Sequence, residues 1–327
     1  MIKEPVIIIG AGPCGLAAAI ELQQTGVDPL VIEKKNVVHS ITQYPVYMQF
    51  FSSPELLEIA DIPFTTAGDK PSRLEALNYY RNVALRREVR LQTYTDVKSV
   101  TPLQEGGFLL EARSKAGKEL AYHAEQVIVA TGYFDHPNML GIPGEEREKV
   151  SHFFREAHPY TKTRVVIIGG SNSAIDAALE LQRVGADVTV VYRGEGYAAG
   201  IKPWVLPIFE SKVSKGQIRM MFASQVIAIE EDTVSIRTPE GIEQLDNDFV
   251  LALTGFHPDR EFLTAAGVRI EPEGYPYFQE ETMETNVPGL YLAGVVASRR
   301  EANEIFIETG RFHGRRIAAH LKTKTRP

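Results

Sequence analysis

Two stretches of the chain share one hydrophobic pattern. Val6-Ile7-Ile8-Ile9 and Val165-Val166-Ile167-Ile168 are unbroken apolar runs, and each passes directly into a glycine-rich turn. Such runs read as strands buried on both faces, as in a parallel sheet. Helical patterns follow, from Pro13 towards Gln24 with Gly26 as the stop, and from Ser173 to Val184 with Gly185 as the stop. Glycine just past a helix end is the usual terminator. A second apolar run closes each unit, Pro29 to Ile32 in one and Asp187 to Val191 in the other. The pattern therefore predicts two βαβ units. Further strands are expected over 124–132, 249–255 and 289–294, and a last helix from Asn303 or Glu304 to His320. Segment 133–136 lies between Gly132 and Pro137, and segment 255–258 carries Gly255 and Pro258, as hinges do.

The turns themselves carry chemistry. Gly10-Ala11-Gly12-Pro13-Cys14-Gly15 is a complete dinucleotide fingerprint, and Gly169-Gly170-Ser171-Asn172-Ser173-Ala174 departs from it only where Ser171 replaces the middle glycine. The first glycine makes the tight turn, the second admits the pyrophosphate, and a small third residue lets helix and sheet pack. The pyrophosphate then rests on unpaired N–H groups at a helix N-terminus. The residue ending the next strand differs between the two: Glu33, with Lys34 beside it, against Tyr192-Arg193. An acid there binds a ribose 2′-OH, and an arginine meets a 2′-phosphate. Two different dinucleotides are expected, the second NADP-like. The fold class expected is α/β, with two Rossmann-like dinucleotide-binding domains, the second inserted in the first: residues 1–134 and 257–327 around residues 135–256. Thr131-Gly132, at the end of a strand, belong with the first nucleotide.

Composition changes this little. The 327 residues are 44% hydrophobic and 24% charged, as in an ordinary globular protein. A net charge of −7 argues against nucleic-acid or anionic-membrane partners. No apolar stretch reaches the roughly 18 residues that span a bilayer, and Met1 to Pro5 leaves no room for a leader, so a cytoplasmic location is expected. Cysteine counting is sharper. Cys14 is the only one, which rules out an intramolecular disulfide, a C-x-x-C pair and a cysteine metal site. The histidine spacing gives no reason to expect a metal.

The arrangement resembles the flavoproteins of the low-molecular-weight thioredoxin-reductase type over essentially the whole chain. That resemblance implies FAD on the interrupted domain and NADPH on the inserted one. The paired cysteines of that group are absent, and Val295 stands after Gly294 where many members place an aspartate towards the flavin. Narrower matches lie in Gly12-Pro13-Cys14-Gly15, Phe50-Phe51-Ser52-Ser53, the Gly169 to Leu181 stretch, Ile201-Lys202-Pro203-Trp204 and Asn303-Glu304-Ile305-Phe306-Ile307-Glu308. Together these resemble the YpdA-type bacillithiol-disulfide reductases. The resemblance implies NADPH-dependent reduction of bacillithiol disulfide or a similar small disulfide, with Cys14 as the redox thiol, and a homo-oligomer, most simply a dimer. A lysine is usual in that family where Ser171 stands, which leaves Arg193 and Lys202 to hold the 2′-phosphate.

On its residues alone, Cys14 reads rather as a small packing residue in a tight helix contact, and it is the resemblance that favours a redox thiol. A helix N-terminus lowers a thiol pKa, but a flavin phosphate about 6 Å away would offset that by about 3 kcal/mol at an effective dielectric of ~20. By the fold analogy, Gly294 and the helix start at Ala302-Asn303-Glu304 lie at the flavin, where the helix would stabilise negative charge on its reduced form. Gln49 is a further candidate flavin contact, and Trp204 either closes over a nucleotide or fills a core pocket. Flavin monooxygenase, ferredoxin- or flavodoxin-NADP reductase and a non-enzymatic NADPH sensor remain open alternatives. Oxygen uptake, reduction of a one-electron carrier and binding without turnover, respectively, would mark them.

Overall fold

The apolar run Val6–Ile9 becomes the buried end of a strand, Ile2–Ile9, with Ile7 and Ile8 fully enclosed. A computed structural model describes residues 1–299 and 304–324, and it divides into two units. The first holds residues 1–42, 48–136 and the chain from 256 onwards. The second holds residues 137–255 together with Gln43–Tyr47.

In the first unit, Ile2–Ile9 runs parallel to Leu30–Ile32 on one side and to the long strand Glu119–Val129 on the other. Arg90–Gln92 extends the sheet beyond Leu30–Ile32, and Leu290–Leu292 runs parallel along Val127 to Val129. The early part of Glu119–Val129 pairs instead with the antiparallel Phe108–Ser114, and Thr95–Pro102 lies beyond that. This strand is long because it serves both sheet regions. The chain grows outward from Ile2–Ile9 in one direction, then returns on the other side. Such a reversal leaves a crevice at the strands' carboxyl ends, the usual ligand position in open α/β sheets.

The second unit repeats the device. Its parallel sheet runs Arg219–Met221, Asp187–Val191, Arg164–Ile168, Phe249–Ala252 and Val150–Ser151 in order, so the reversal falls between Arg164–Ile168 and Phe249–Ala252. A three-stranded antiparallel sheet, Gln225–Ile229, Thr233–Thr238 and Gly241–Asp246, lies within the crossover. The helix Asn172–Arg183 buries Ala174, Ile175, Ala177, Ala178 and Leu181 against this core. The architecture is thus α/β, with a mixed sheet in the first unit and a parallel sheet in the second, each with its own reversal of strand order.

Two expectations are corrected. The strand foreseen over 289–294 spans only Leu290–Leu292, because the chain turns into a single 3-10 turn at Gly294–Ala297. The last helix is not continuous from residue 303 or 304 to 320. It comprises Ile307–Gly310 and His313–Lys324, and at the join the Phe312 N–H reaches back to the Thr309 carbonyl at 3.2 Å. Ala302 and Asn303 lie outside the described residues. The break falls between two tight contacts, Gly310 against the Gly294 turn and Gly314 against the helix Pro13–Gln23.

Gly314 sets the distance of that helix pair, since a β-carbon there would lie 2.4 Å from the Ala18 Cα. Gly314→Ala should therefore destabilise the protein despite the roughly 1 kcal/mol that alanine gains in a helix interior. A net loss of about 1–3 kcal/mol is expected from overpacking, read as a lower urea midpoint at unchanged slope.

Candidate functional site

Both fingerprint turns are shaped by the neighbouring strand. Gly10 has φ +108°, and a β-carbon on it would lie 2.5 Å from the Ala130 carbonyl oxygen; Gly169 has φ +144° and the same 2.5 Å relation to Leu253. Each turn is thereby pressed onto the reversal point of its sheet. At Gly15 a β-carbon would lie 2.0 Å from the Gly10 carbonyl, whereas Ala174 occupies the corresponding place in the second turn. The helices that follow, Pro13–Gln23 and Asn172–Arg183, have Gly12 and Ser171 as N-caps, and neither cap side chain bonds the helix. Their first N–H groups are left for an anion.

Glu33 ends Leu30–Ile32 and is almost fully buried. Its Oε2 accepts the Ala11 N–H and its Oε1 the Lys35 N–H, each at 2.8 Å. An ionised carboxylate offers about four acceptor positions, so two remain for a ribose diol. Burial raises the Glu33 pKa, and the two N–H bonds work against that rise. Lys34 is paired with Asp135 at 2.7 Å. Thr131 and Gly132 follow Glu119–Val129 at the same sheet edge. Gln49 is exposed, on an isolated antiparallel bridge to Ser72.

In the second unit Arg193 is exposed just past Asp187–Val191. Beside it the Tyr192 ring covers the turn, filling the space where β-carbons on Gly170 and Gly194 would stand, 2.4 Å from ring atoms. Asn172 ties the loop after Gly200 to the helix start: its Nδ2 donates to the Gly200 carbonyl and its Oδ1 accepts the Lys202 N–H, both at 2.9 Å. Lys202 itself lies in this loop. Its side chain is only 10% exposed and meets Asp176 at 2.7 Å. Ser171 and Ser173 are exposed at the turn, while Trp204 is 60% exposed and fills no core pocket. Of the aromatic pair, Phe50 is buried and Phe51 is exposed.

Cys14 occupies the second position of the helix Pro13–Gln23. Its sulfur is seated between two residues without side chains: β-carbons on Gly294 and Gly310 would approach Sγ to 3.0 Å and 2.8 Å. Although the residue keeps some exposed surface, the dense protein around the sulfur pushes its pKa up to about 12, and the negative charge of Glu308 adds to the rise. Burial thus outweighs the helix N-terminus, and the resting group is a thiol. Glu308 lies on the same short turn as Gly310, and its Oε1 accepts a hydrogen bond from the Ser52 hydroxyl. The Gly294 N–H donates to His313 Nδ1 at 3.1 Å. The contribution of Gly294 here is steric, since its N–H is already committed. Glu304 accepts the Arg299 N–H at 2.9 Å. Sequence reasoning quoted Ser52 and Glu308 within motifs without giving them roles, and it passed over Gly310 and His313. No local spacing signals a contact across 256 residues.

Residues 7–294 match the Pyridine nucleotide-disulphide oxidoreductase family. The chain belongs to that family. Members of this oxidoreductase family similar to it include the Bacilliredoxin reductase Bdr of Bacillus subtilis (strain 168), 53% identical over 98% of each chain. Among solved structures it is similar to the Bacillithiol Disulfide Reductase Bdr (YpdA) of Bacillus cereus, with TM-score 0.96, 50% identity, and coverage of 98% of this chain and 99% of that one. The Bacillithiol Disulfide Reductase Bdr (YpdA) of Staphylococcus aureus superposes at TM-score 0.94 with 45% identity over the full length of both. The chain is an enzyme, a disulfide reductase of thioredoxin-reductase-like fold. Family membership implies flavin and pyridine nucleotide. Glu33, with spare acceptors, and the uncapped helix at Gly12 fit such a group. Among the described residues no cluster of histidine, cysteine and carboxylate side chains could hold a metal, and no helix is long and apolar enough to cross a membrane.

The imidazole beneath Gly294 gives a pH signature. Burial, with Arg316 nearby, holds His313 down at about 4 against an ordinary 6.5. A folded pKa below the unfolded one means its contribution is complete above about pH 6.5 and lost as pH falls towards 4. Protonation would also place a proton where Nδ1 accepts the Gly294 N–H. Between pH 7 and pH ~4.5 the protein should lose about 2–3 kcal/mol of unfolding free energy that His313→Gln does not lose, measured by urea unfolding of both.

Proposed function

We propose that the enzyme uses FAD and NADPH to reduce bacillithiol disulfide, with Cys14 as the redox thiol. The observation that carries this reading is the seat of the chain's only cysteine, inside the first nucleotide fingerprint and against Gly294 and Gly310. Relatives named for the same substrate at 45–50% identity support it. FAD is assigned to residues 1–134 and 257–327, and NADPH to residues 135–256. When bound, the flavin supplies a two-electron relay between nicotinamide and disulfide.

The chain's own residues divide the remaining tasks. Gly10, Gly12, Pro13 and Gly15 bring the helix N-terminus to a pyrophosphate, and the free acceptor positions of Glu33 take the ribose hydroxyls. Gly169 to Ser173 do the same for NADPH, with Ser171 small enough to let the phosphate approach. Arg193 meets the 2′-phosphate as a planar, permanently charged donor. Lys202 joins it by leaving Asp176 or by sharing its charge across that pair. Cys14 attacks the disulfide, one thiol departs, and the second is released when the mixed disulfide is reduced. A cytoplasmic homodimer completes the reading.

Cys14→Ala should abolish thiol release from bacillithiol disulfide while NADPH still bleaches the flavin absorbance. Stopped-flow spectra and a thiol assay on one preparation separate the two, and undiminished thiol release would refute the role. Arg193→Ala should raise the NADPH KM by about 10–100-fold, as expected for one charged hydrogen-bond partner, with the NADH KM unmoved. Equal effects on both nucleotides would remove Arg193 from the 2′-phosphate.

A further inference from the structure

We infer that Tyr192 decides which nucleotide the second unit accepts. Its ring closes the place from which an acid would bind a ribose 2′-OH, which leaves a 2′-phosphate as the group this strand end holds. This deepens the NADPH reading above and rests on it.

The two fingerprints carry the same backbone hydrogen bonds in the same register. In the first unit the Gly10 N–H donates to the Ile32 carbonyl at 2.8 Å, the Glu33 N–H to Gln92 at 2.9 Å, and the Thr95 N–H to the Glu33 carbonyl at 3.0 Å. In the second the Gly169 N–H donates to Val191 at 3.0 Å, the Tyr192 N–H to Met221 at 2.9 Å, and the Ser224 N–H to the Tyr192 carbonyl at 3.0 Å. Ile9 pairs with Ile32 as Ile168 pairs with Val191. Tyr192 therefore stands where Glu33 stands, Gly170 where Ala11 stands, and Arg193 where Lys34 stands.

The two units use this shared position in opposite ways. Glu33 turns its carboxylate to the glycine turn, where Oε2 accepts the Ala11 N–H at 2.8 Å and acceptor positions are left over. Tyr192 lays its ring over the same turn. A β-carbon on Gly170 would lie 2.4 Å from Cγ and Cδ2, and one on Gly194 would lie 2.4 Å from Cε1. Neither glycine has a left-handed backbone, so it is the ring that requires glycine at both positions. Seated on two glycines, the ring is a fixed wall.

Ring carbons offer a 2′-OH none of the acceptor positions of a carboxylate. A ribose hydroxyl brought against them gives up its water without replacement, which disfavours the unphosphorylated nucleotide. A 2′-phosphate brings its own acceptor oxygens, and the exposed Arg193 follows immediately to donate to them. The absence of a strand-end carboxylate also removes the charge that would repel the phosphate. Exclusion and attraction thus sit on adjacent residues.

The test titrates the FAD-loaded full chain with two probes, 2′,5′-ADP and 5′-AMP, by isothermal calorimetry, and follows turnover with NADPH and with NADH. Retained FAD absorbance and an unmoved unfolding midpoint are the controls for folding. Tyr192→Glu should lower the preference for 2′,5′-ADP over 5′-AMP by about 100-fold, one factor of ten from charge repulsion and one from the new acceptor. The ratio of kcat/KM for NADPH over NADH should fall with it. Tyr192→Gln, a neutral acceptor in the same place, should lower the preference by about tenfold, while Tyr192→Phe, which keeps the ring, should leave it unmoved. Gly194→Ala unseats the ring without altering its chemistry and should also cost the preference about tenfold. An unmoved preference in Tyr192→Glu and Tyr192→Gln would show that the position does not face the ribose. Loss of preference in Tyr192→Phe would hand the role to the hydroxyl, and an unmoved preference in folded Gly194→Ala would show that the seating of the ring is immaterial. Any of these overturns the proposal. The parent reading fails separately, through equal binding of the two probes by the unaltered chain.

Discussion

In both units a strand carbonyl stands where a side chain of the glycine turn would begin, Ala130 against Gly10 and Leu253 against Gly169. That approach allows no β-carbon, and it decides more than the local backbone. It brings the end of one strand and the start of the next helix to the reversal point of a doubly wound sheet. The uncapped N–H groups of the helix then face the crevice rather than a neighbouring element. In the first unit the same placement fixes Cys14, two residues into the helix, against the turn at Gly294. Cys14 is therefore positioned by the nucleotide-binding architecture itself, with no loop of its own.

Close approach without side chains recurs at each contact that matters around the sulfur. Gly294, Gly310 and Gly314 let three backbone segments converge on the helix Pro13–Gln23. Convergence of this kind excludes water and lowers the local polarity, which is why burial leads the rise in the Cys14 pKa. The buried, neutral His313 is the polar cost of the arrangement, and it is offset by accepting the Gly294 N–H.

How much of this was legible depended on whether the determining contact was local in the chain. The two βαβ units, the class of sheet and the acid–arginine contrast at Glu33 and Arg193 follow from residues within one turn of each other. Helix ends at Gln23 and Arg183 fell within a residue of expectation because glycine marks them locally. The last helix was misjudged: it breaks after Gly310, where the turn packs on Cys14 and Gly294, and resumes at His313. The partners of Lys202 were not legible for the same reason, since Asp176 and Asn172, which hold it, lie 26 and 30 residues away. Ser52 and Glu308 meet across almost the whole chain, and no pattern within either segment anticipates it.

A flavoprotein with one cysteine faces a constraint that a paired-cysteine enzyme avoids. A partner thiol would capture an adventitiously oxidised sulfur as a disulfide; here nothing of that kind is within the chain. Oxidation proceeds from the thiolate, so a site that keeps the sulfur protonated protects it. Burial and the Glu308 charge both act in that direction, against a helix N-terminus worth about 0.3–2 kcal/mol in the other.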